Sequence, residues 1–338
     1  MKSLSKYSIL TILSLCCCLS CAPQKEQWRQ LQGEVFHTFY HITYLGEADY
    51  REEIRTLFDE FDGSLSMFND TSIISRMNDN DPDVVANDYF RKVFVKGMAV
   101  SKMTNGAFDM TVAPLVNLWG FGFKNSESVT PEDVDSILHF VGYNTVSLDS
   151  TGHLHKQDPR TILDASSIAK GYMSDIVADF LREKGVSNYM VEIGGEIALN
   201  GVNHRGNPWT IGINKPVADS LQVAGDYQDC ISLSHGGVAT SGNYRNFYDK
   251  GGKRYAHTID PHSGYPIQTD VLSATVYAPD CMTADAFATS FMVLGSERSL
   301  QVMKEVEGVE GYLILHSATD STQLEVVYSA GFQQIIAQ

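Results

Sequence analysis

An α+β fold, one compact unit of largely antiparallel strands and packed helices, is the class this chain predicts. Helical and strand periodicities arrive in blocks rather than in strict alternation, which is the α+β pattern. Between them lies no Pro/Ser-rich linker, no low-complexity tract and no repeat of solenoid period. About 318 residues follow the N-terminal leader, long for one domain but within the single-domain range.

The leader itself reads as residues 1–20 of a lipoprotein signal. Lys2 and Lys6 precede Tyr7–Leu19, an uncharged apolar run too short to span a bilayer. It ends in Leu19-Ser20-Cys21, which resembles a bacterial lipobox with Cys21 as the lipidated first residue. That places the protein at the cell envelope, lipid-anchored on the membrane and facing the periplasm. Residues 21–32 follow as a polar tether, and residues 33–338 as the folded domain. Beyond Cys21 only Cys230 and Cys281 remain; they could form one disulfide, but a chain this long needs no staple, and two separate buried thiols is the preferred reading. Removing Lys2 and Lys6 and no acid takes the formal charge from −16 to −18. Such a surface repels phosphate backbones, so nucleic acid is excluded as a partner, and any phosphate ligand needs a local cation.

The elements come in this order. Apolar alternation over Val35–Tyr44 predicts a strand. Glu52–Phe61 and Tyr89–Met103 carry helical spacing, the second closed by Asn105-Gly106, and Thr130-Pro131 opens another helix. Thr145–Leu148 and His153–His155 suit a hairpin; without a third ligand its histidines are loop residues. Ser166–Lys184 is a helix, with Ile168, Tyr172, Ile176 and Phe180 at four-residue steps and Gly185 as its stop. Strand signals then dominate from Tyr189 to Val276. Helices return over Thr283–Leu294 and Ser296–Val306, and strands over Gly311–His316 and Gln323–Tyr328 close the chain.

Four segments carry chemistry. Val238–Pro266 crowds Ser/Thr-Gly turns, a Lys-Arg pair, His257, His262 and an Asp-Pro corner into one span, a mixture packing does not require. On the Thr283–Leu294 helix, Asp285 and Thr289 stack one turn apart, away from Phe287, Phe291 and Leu294. One carboxylate and one hydroxyl suit a hard cation that completes its shell with water and phosphate; the plainer alternative is an acid complementing a helix N-terminus. Asp164-Ala165-Ser166-Ser167-Ile168-Ala169-Lys170-Gly171 sets an acid, two hydroxyls and a lysine where a helix begins, a place that attracts phosphates. Gly106–Gly122 alternates aromatics and glycines with isolated polar groups, as a surface for a planar ring would. Ser167-x-x-Lys170 also matches the S-x-x-K of serine acyl-enzymes, but His262 stands where that pattern needs its second lysine, and the reading is set aside.

Together these segments resemble the ApbE family of FAD:protein FMN transferases from Gly33 to Tyr328. The resemblance rests on Leu65–Asn78, Gly106–Gly122, Asp164–Gly171, Asn188–Glu196, His257–Pro266 and Thr283–Thr289. It implies that Asp285, Thr289 and an oxygen at Ser167 bind Mg²⁺, and that Asp164 and Lys170 meet FAD. It implies further that Phe68 contacts the flavin, that Ala107, Phe108 and Asp109 shape the pocket, and that Ile259 offers backbone contacts. His257 would be the base that takes the proton of an incoming threonine. Phe36-His37 stands where the family commonly has Met-Gly, at the isoalloxazine contact, and Ala165 replaces a usual leucine. The implied reaction moves FMN from FAD to a threonine of flavoprotein subunits in Nqr- or Rnf-type ion-pumping complexes, releasing AMP. FAD hydrolysis in the same site and non-catalytic flavin binding are the alternatives.

Overall fold

Trp28–Val35 (β1) and Thr38–Leu45 (β2) pair as an antiparallel hairpin around the two-residue turn Phe36-His37. The single strand expected over Val35–Tyr44 is thus the second arm of a hairpin, and residues 28–32, expected as tether, are its first arm. Phe36 and His37 both adopt positive φ, 51° and 59°. Two-residue hairpin turns need that geometry to match strand twist, and they usually signal themselves by Asn-Gly. Bulky residues here carry a backbone cost, so the turn left no mark in the sequence pattern. The computed structural model describes residues 27–121, 129–216, 227–243, 247–250, 253–256, 258–317 and 323–337.

The hairpin is one edge of an eight-stranded sheet. Further along it come Tyr189–Ile193 (β5), Glu196–Asn200 (β6), His235–Gly242 (β9), Val271–Ala278 (β12), Glu310–His316 (β13) and Leu324–Tyr328 (β14). Their order is β1-β2-β5-β6-β9-β12-β13-β14, and every neighbouring pair is antiparallel. Three short hairpins stand apart: Val146–Leu148 (β3) with Leu154–Lys156 (β4), Trp209–Asn214 (β7) with Tyr227–Leu233 (β8), and Phe247–Lys250 (β10) with Lys253–Ala256 (β11). The first is the hairpin expected around Asp149; His155 meets Asp149 at 2.9 Å and His153 at 3.9 Å. No group of three metal-ligating residues forms there or elsewhere among the described residues.

Helices cover one face of the sheet. Ser166–Glu183 (α6) lies against β5 and β6, and Cys281–Glu305 (α7) against β9 and β12. Arg51–Leu65 (α1), Ile73–Asn78 (α2) and Asp88–Met103 (α3) pack outside them, while Ala113–Leu118 (α4) and Pro131–Leu138 (α5) lie side by side beyond. The main core fills this layer, from Ile42 and Val191 in the sheet to Phe90, Met173, Phe287 and Phe291 in the helices. The opposite face is closed by the β7–β8 hairpin and Ala330–Ile335 (α8), around Trp209, Ile231, Tyr312 and Phe332.

The four-residue steps of α6 predict a stripe through Ile176 and Phe180, but the buried stripe runs through Ile168, Tyr172, Val177 and Leu181. Each four-residue step overshoots a turn by about 40°, so a strict series leaves the core within three steps. The break expected between the two C-terminal helices is a kink inside α7: Gly295 takes φ 73° and ψ 173°, and Asp270 accepts the Ser296 N–H at 3.0 Å. Cys230 and Cys281 are both free thiols, as expected, although only Cys281 is fully buried and Cys230 is half-buried.

Candidate active site

One end of the sheet gathers the chemistry. The β5–β6 hairpin turns through Gly194-Gly195, with φ of 69° and 103°, and sets Glu196 at the first position of β6. Its tip touches the first hairpin, the Gly194 N–H donating to the Phe39 carbonyl at 2.9 Å. Ser241 and Gly242 close β9 at the same end. Above them α6 begins and the second turn of α7 passes. These two helices approach so closely at Gly171 that a Cβ there would lie 2.4 Å from the Cys281 carbonyl oxygen. The contact exists only because Gly171 has no side chain.

That crossing puts the residues of two distant segments in one wall. Asp285 is 3% exposed, and its Oδ2 accepts the Gly171 N–H at 3.0 Å. The sequence pattern suggests an open helix face; the carboxylate is instead built into the α6–α7 contact. Thr289, one turn on, meets the Ser241 hydroxyl at 3.2 Å. The Lys170 ammonium lies 3.1 Å from Glu196 Oε1. Burial works against that ammonium, but Asp285 and then Glu196 hold it charged, above the ordinary lysine range. Burial also pushes the Glu196 carboxyl up, an effect the Lys170 ammonium opposes. Glu196 Oε2 is buried without a hydrogen-bond partner among the described residues.

These groups line a cavity of about 470 Å³ that also takes in Asp164, Ser167, Thr258 and Ile259. A second chamber of about 490 Å³ adjoins it, sharing Ser166 and Lys170, and carries Phe36, His37, Phe61 and Phe68. Phe68 is 69% exposed at its rim, with the His37 ring 5.1 Å away. Ala165 caps α6 without a side-chain hydrogen bond, and Asp164 instead accepts the N–H and hydroxyl of Ser166.

The Gly106–Phe121 segment contributes less openly than its composition suggests. Phe108 borders the cavity but is only 1% exposed, packed in the core. Asp109 Oδ1 accepts the N–H and hydroxyl of Thr111, and its Oδ2 the Tyr143 N–H at 2.6 Å. Burial pushes this carboxyl up, while those three donors pull it down. Asp109 therefore shapes the loop beside Ala107 while bordering the cavity. Ile259 is buried, bridged to Pro266 across a tight turn whose Gly264 carbonyl accepts the Trp119 indole N–H at 2.7 Å. His257, expected as the base, and Cys21, expected as the lipid anchor, lie outside the described residues. Glu196 and Ser241 stand in the sequence only as parts of longer motifs. Their place in the site comes from strand register, which no local spacing reveals.

The wall fits a hard cation. Asp285 keeps Oδ1 free of hydrogen bonds among the described residues, and Thr289 and Ser167 border the same space. One carboxylate oxygen and hydroxyls leave most of an octahedron to water and substrate phosphate, as Mg²⁺ prefers, and would hold zinc poorly.

The start of α7 is fixed by two acids. Asp280 accepts the Thr283 N–H at 2.7 Å as N-cap, and Asp175 on α6 accepts the Cys281 and Met282 N–H groups, each at 2.8 Å. Burial nevertheless pushes the Asp175 carboxyl up to about 7. An unfolded aspartate loses its proton at about pH 4, so between there and neutrality the native state binds more protons. The stability Asp175 contributes is fully present below that unfolded value and is lost as pH rises through about 7. The Tm of the wild type is therefore expected to fall relative to Asp175→Asn across this window. Parallel Tm–pH profiles for the two proteins would contradict the assignment.

Known flavin transferases resemble this chain over most of its length. Residues 36–313 match the ApbE family. The FAD:protein FMN transferase of Haemophilus influenzae is 37% identical over 330 residues, covering 92% of this chain and 94% of that protein. The Vibrio cholerae protein of the same name is 39% identical over 305 residues, covering 87% and 89%. Among solved structures, flavin transferase ApbE from Vibrio cholerae superposes with a TM-score of 0.81 at 34% identity, covering 92% of this chain and 99% of that one. The apo form of Pseudomonas stutzeri flavinyl transferase ApbE gives 0.81 at 30% identity, with 92% and 97% covered.

Proposed function

Since the chain belongs to the ApbE family, we propose that it transfers FMN from FAD to a threonine hydroxyl of a partner flavoprotein, with Mg²⁺, and releases AMP. The observation that carries the reading is the α6–α7 crossing, which sets Asp285 and Thr289 beside Lys170 in one cavity, next to an aromatic chamber. An acidic protein needs such a local cationic site to receive a diphosphate.

FAD is the substrate, its diphosphate lying along the start of α6 where Lys170 supplies positive charge. Phe36 and Phe68 offer the flavin ring their chamber. Asp285, Thr289 and an oxygen of Ser167 would hold Mg²⁺, which when bound neutralises the diphosphate and polarises the phosphoryl oxygens. His257 takes the proton of the threonine hydroxyl, an assignment consistent with an imidazole titrating near neutral pH. The hydroxyl oxygen bonds to the FMN phosphorus as the bond from that phosphorus to the bridging oxygen breaks, and AMP departs with the electron pair. Positioning and charge neutralisation carry phosphoryl-type transfer with little covalent help. Lipidation at Cys21 would hold the enzyme at the periplasmic side of the envelope, beside flavoprotein subunits of Nqr- or Rnf-type complexes.

The test is incubation of the protein with FAD, Mg²⁺ and a target-motif protein. Flavin fluorescence that survives denaturing electrophoresis on the target is the expected result. Free FMN with no labelled target would replace transfer by hydrolysis, and bound FAD with no turnover would replace it by carriage.

A further inference from the structure

Lys170 faces a choice of two carboxylates, and the structure shows which one it takes. Its ammonium pairs with Glu196 at 3.1 Å, while Asp285, close enough to raise its basicity most among the charged groups, forms no ion pair with it within 4.0 Å. Glu196 is well placed to win. It is 5% exposed, set by the Gly194-Gly195 turn, and its Oε1 is given to the lysine. A Cβ on Gly194 would meet Lys170 Cδ at 3.1 Å and Glu196 Oε2 at 3.2 Å, so the turn also packs the lysine stem against the carboxylate.

We propose that Glu196 is a positioning residue for the metal site: by holding the Lys170 ammonium, it keeps Asp285 Oδ1 free for a divalent cation. Without it, the carboxylate that bears most strongly on the half-buried ammonium is Asp285 itself. An internal Lys170–Asp285 pair would then compete with the metal for the one acid on the α7 face. Glu196 touches neither metal nor reacting atoms; it acts through Lys170. Partners that orient metal-site groups in this indirect way typically govern about 10–100-fold in metal affinity.

This inference rests on the proposed Mg²⁺ site, and its test separates the two. Mn²⁺ binding to the FAD-loaded protein is measured by electron paramagnetic resonance for wild type, Glu196→Gln, Lys170→Met and the Glu196→Gln/Lys170→Met double variant. Glu196→Gln is expected to weaken Mn²⁺ binding about tenfold or more. Removing the competing ammonium in the double variant is expected to restore binding to near that of Lys170→Met alone. A purely structural role for Glu196 predicts no such rescue, and a double variant as weak as Glu196→Gln overturns the proposal. Unchanged Mn²⁺ affinity in Glu196→Gln overturns it as well, while leaving the metal site standing. If Glu196→Gln lowers FAD affinity without metal even in the Lys170→Met background, the carboxylate serves the substrate directly and the proposal fails. A wild type that binds no Mn²⁺ removes the metal reading and this inference together. Melting temperatures of all four proteins establish that each is folded when measured.

Discussion

Asp285→Asn is expected to lower Mg²⁺-dependent FMN transfer by roughly a thousandfold, the rate equivalent of the several kcal/mol a phosphoryl-polarising cation supplies. Asparagine keeps an oxygen to accept the Gly171 N–H and puts an uncharged amide nitrogen, a poor ligand for a hard cation, in place of Oδ1. Alanine is the less clean test. The carboxylate accepts that N–H at 3.0 Å from a site 3% exposed, so truncation removes a buried hydrogen bond to a charged group and costs about 1.5–3 kcal/mol besides. Melting temperature and transfer rate, measured on both variants, separate the two effects. An acid that served only the helix dipole would cost about 0.3–1 kcal/mol and no activity. Full activity of Asp285→Asn at unchanged Mg²⁺ dependence would sink the metal assignment.

Gly171→Ala carries the second large effect. Its Cβ would sit 2.4 Å from the Cys281 carbonyl oxygen and 2.8 Å from Asp285 Cβ, both on one side of α7. Backbone cannot give way as a flexible side chain can, so α6 and α7 must separate. Overpacking of this kind costs about 1–3 kcal/mol. The functional loss is expected to exceed what that figure suggests, because the same methyl displaces Asp285 relative to Lys170, and misplacement by about 1 Å can cost a hundredfold in rate. A variant with lowered Tm but wild-type kcat and Mg²⁺ dependence would show that the crossing serves stability alone.

How much of the molecule is legible in its sequence depends on the range of the interactions involved. Ser166–Glu183 and the break at Gly295 are readable because helix starts, stops and glycine punctuation are local. Asp285 and Thr289 are readable as a pair because one helical turn relates them. Phe36-His37 is not readable as a turn, since nothing about two bulky residues announces positive φ. Composition marks Phe108 and Asp109 as pocket residues, and both border the cavity, but it does not show that Phe108 also packs in the core or that Asp109 braces a loop. Glu196 and Ser241 carry no local sign of their roles, because their positions depend on which strands lie next to one another. Those neighbours are fixed by cross-strand register between segments far apart in the chain, Ile197 facing Val238 and Asn200 facing His235.

The direction of β1 has a consequence for how the enzyme would stand on a membrane. The strand runs from Trp28 to Val35 and ends at the Phe36-His37 turn, which borders the aromatic chamber. Eight residues of strand carry the chain about 25 Å, so Trp28 sits that far from the turn. An anchor at Cys21 would be joined to Trp28 through six residues, seven steps of chain whose fully drawn length is also about 25 Å. With such an anchor, tether and strand drawn out end to end would let the chamber stand at most about 50 Å from the bilayer. On the proposed reading, a target threonine would have to come within that reach of the membrane surface.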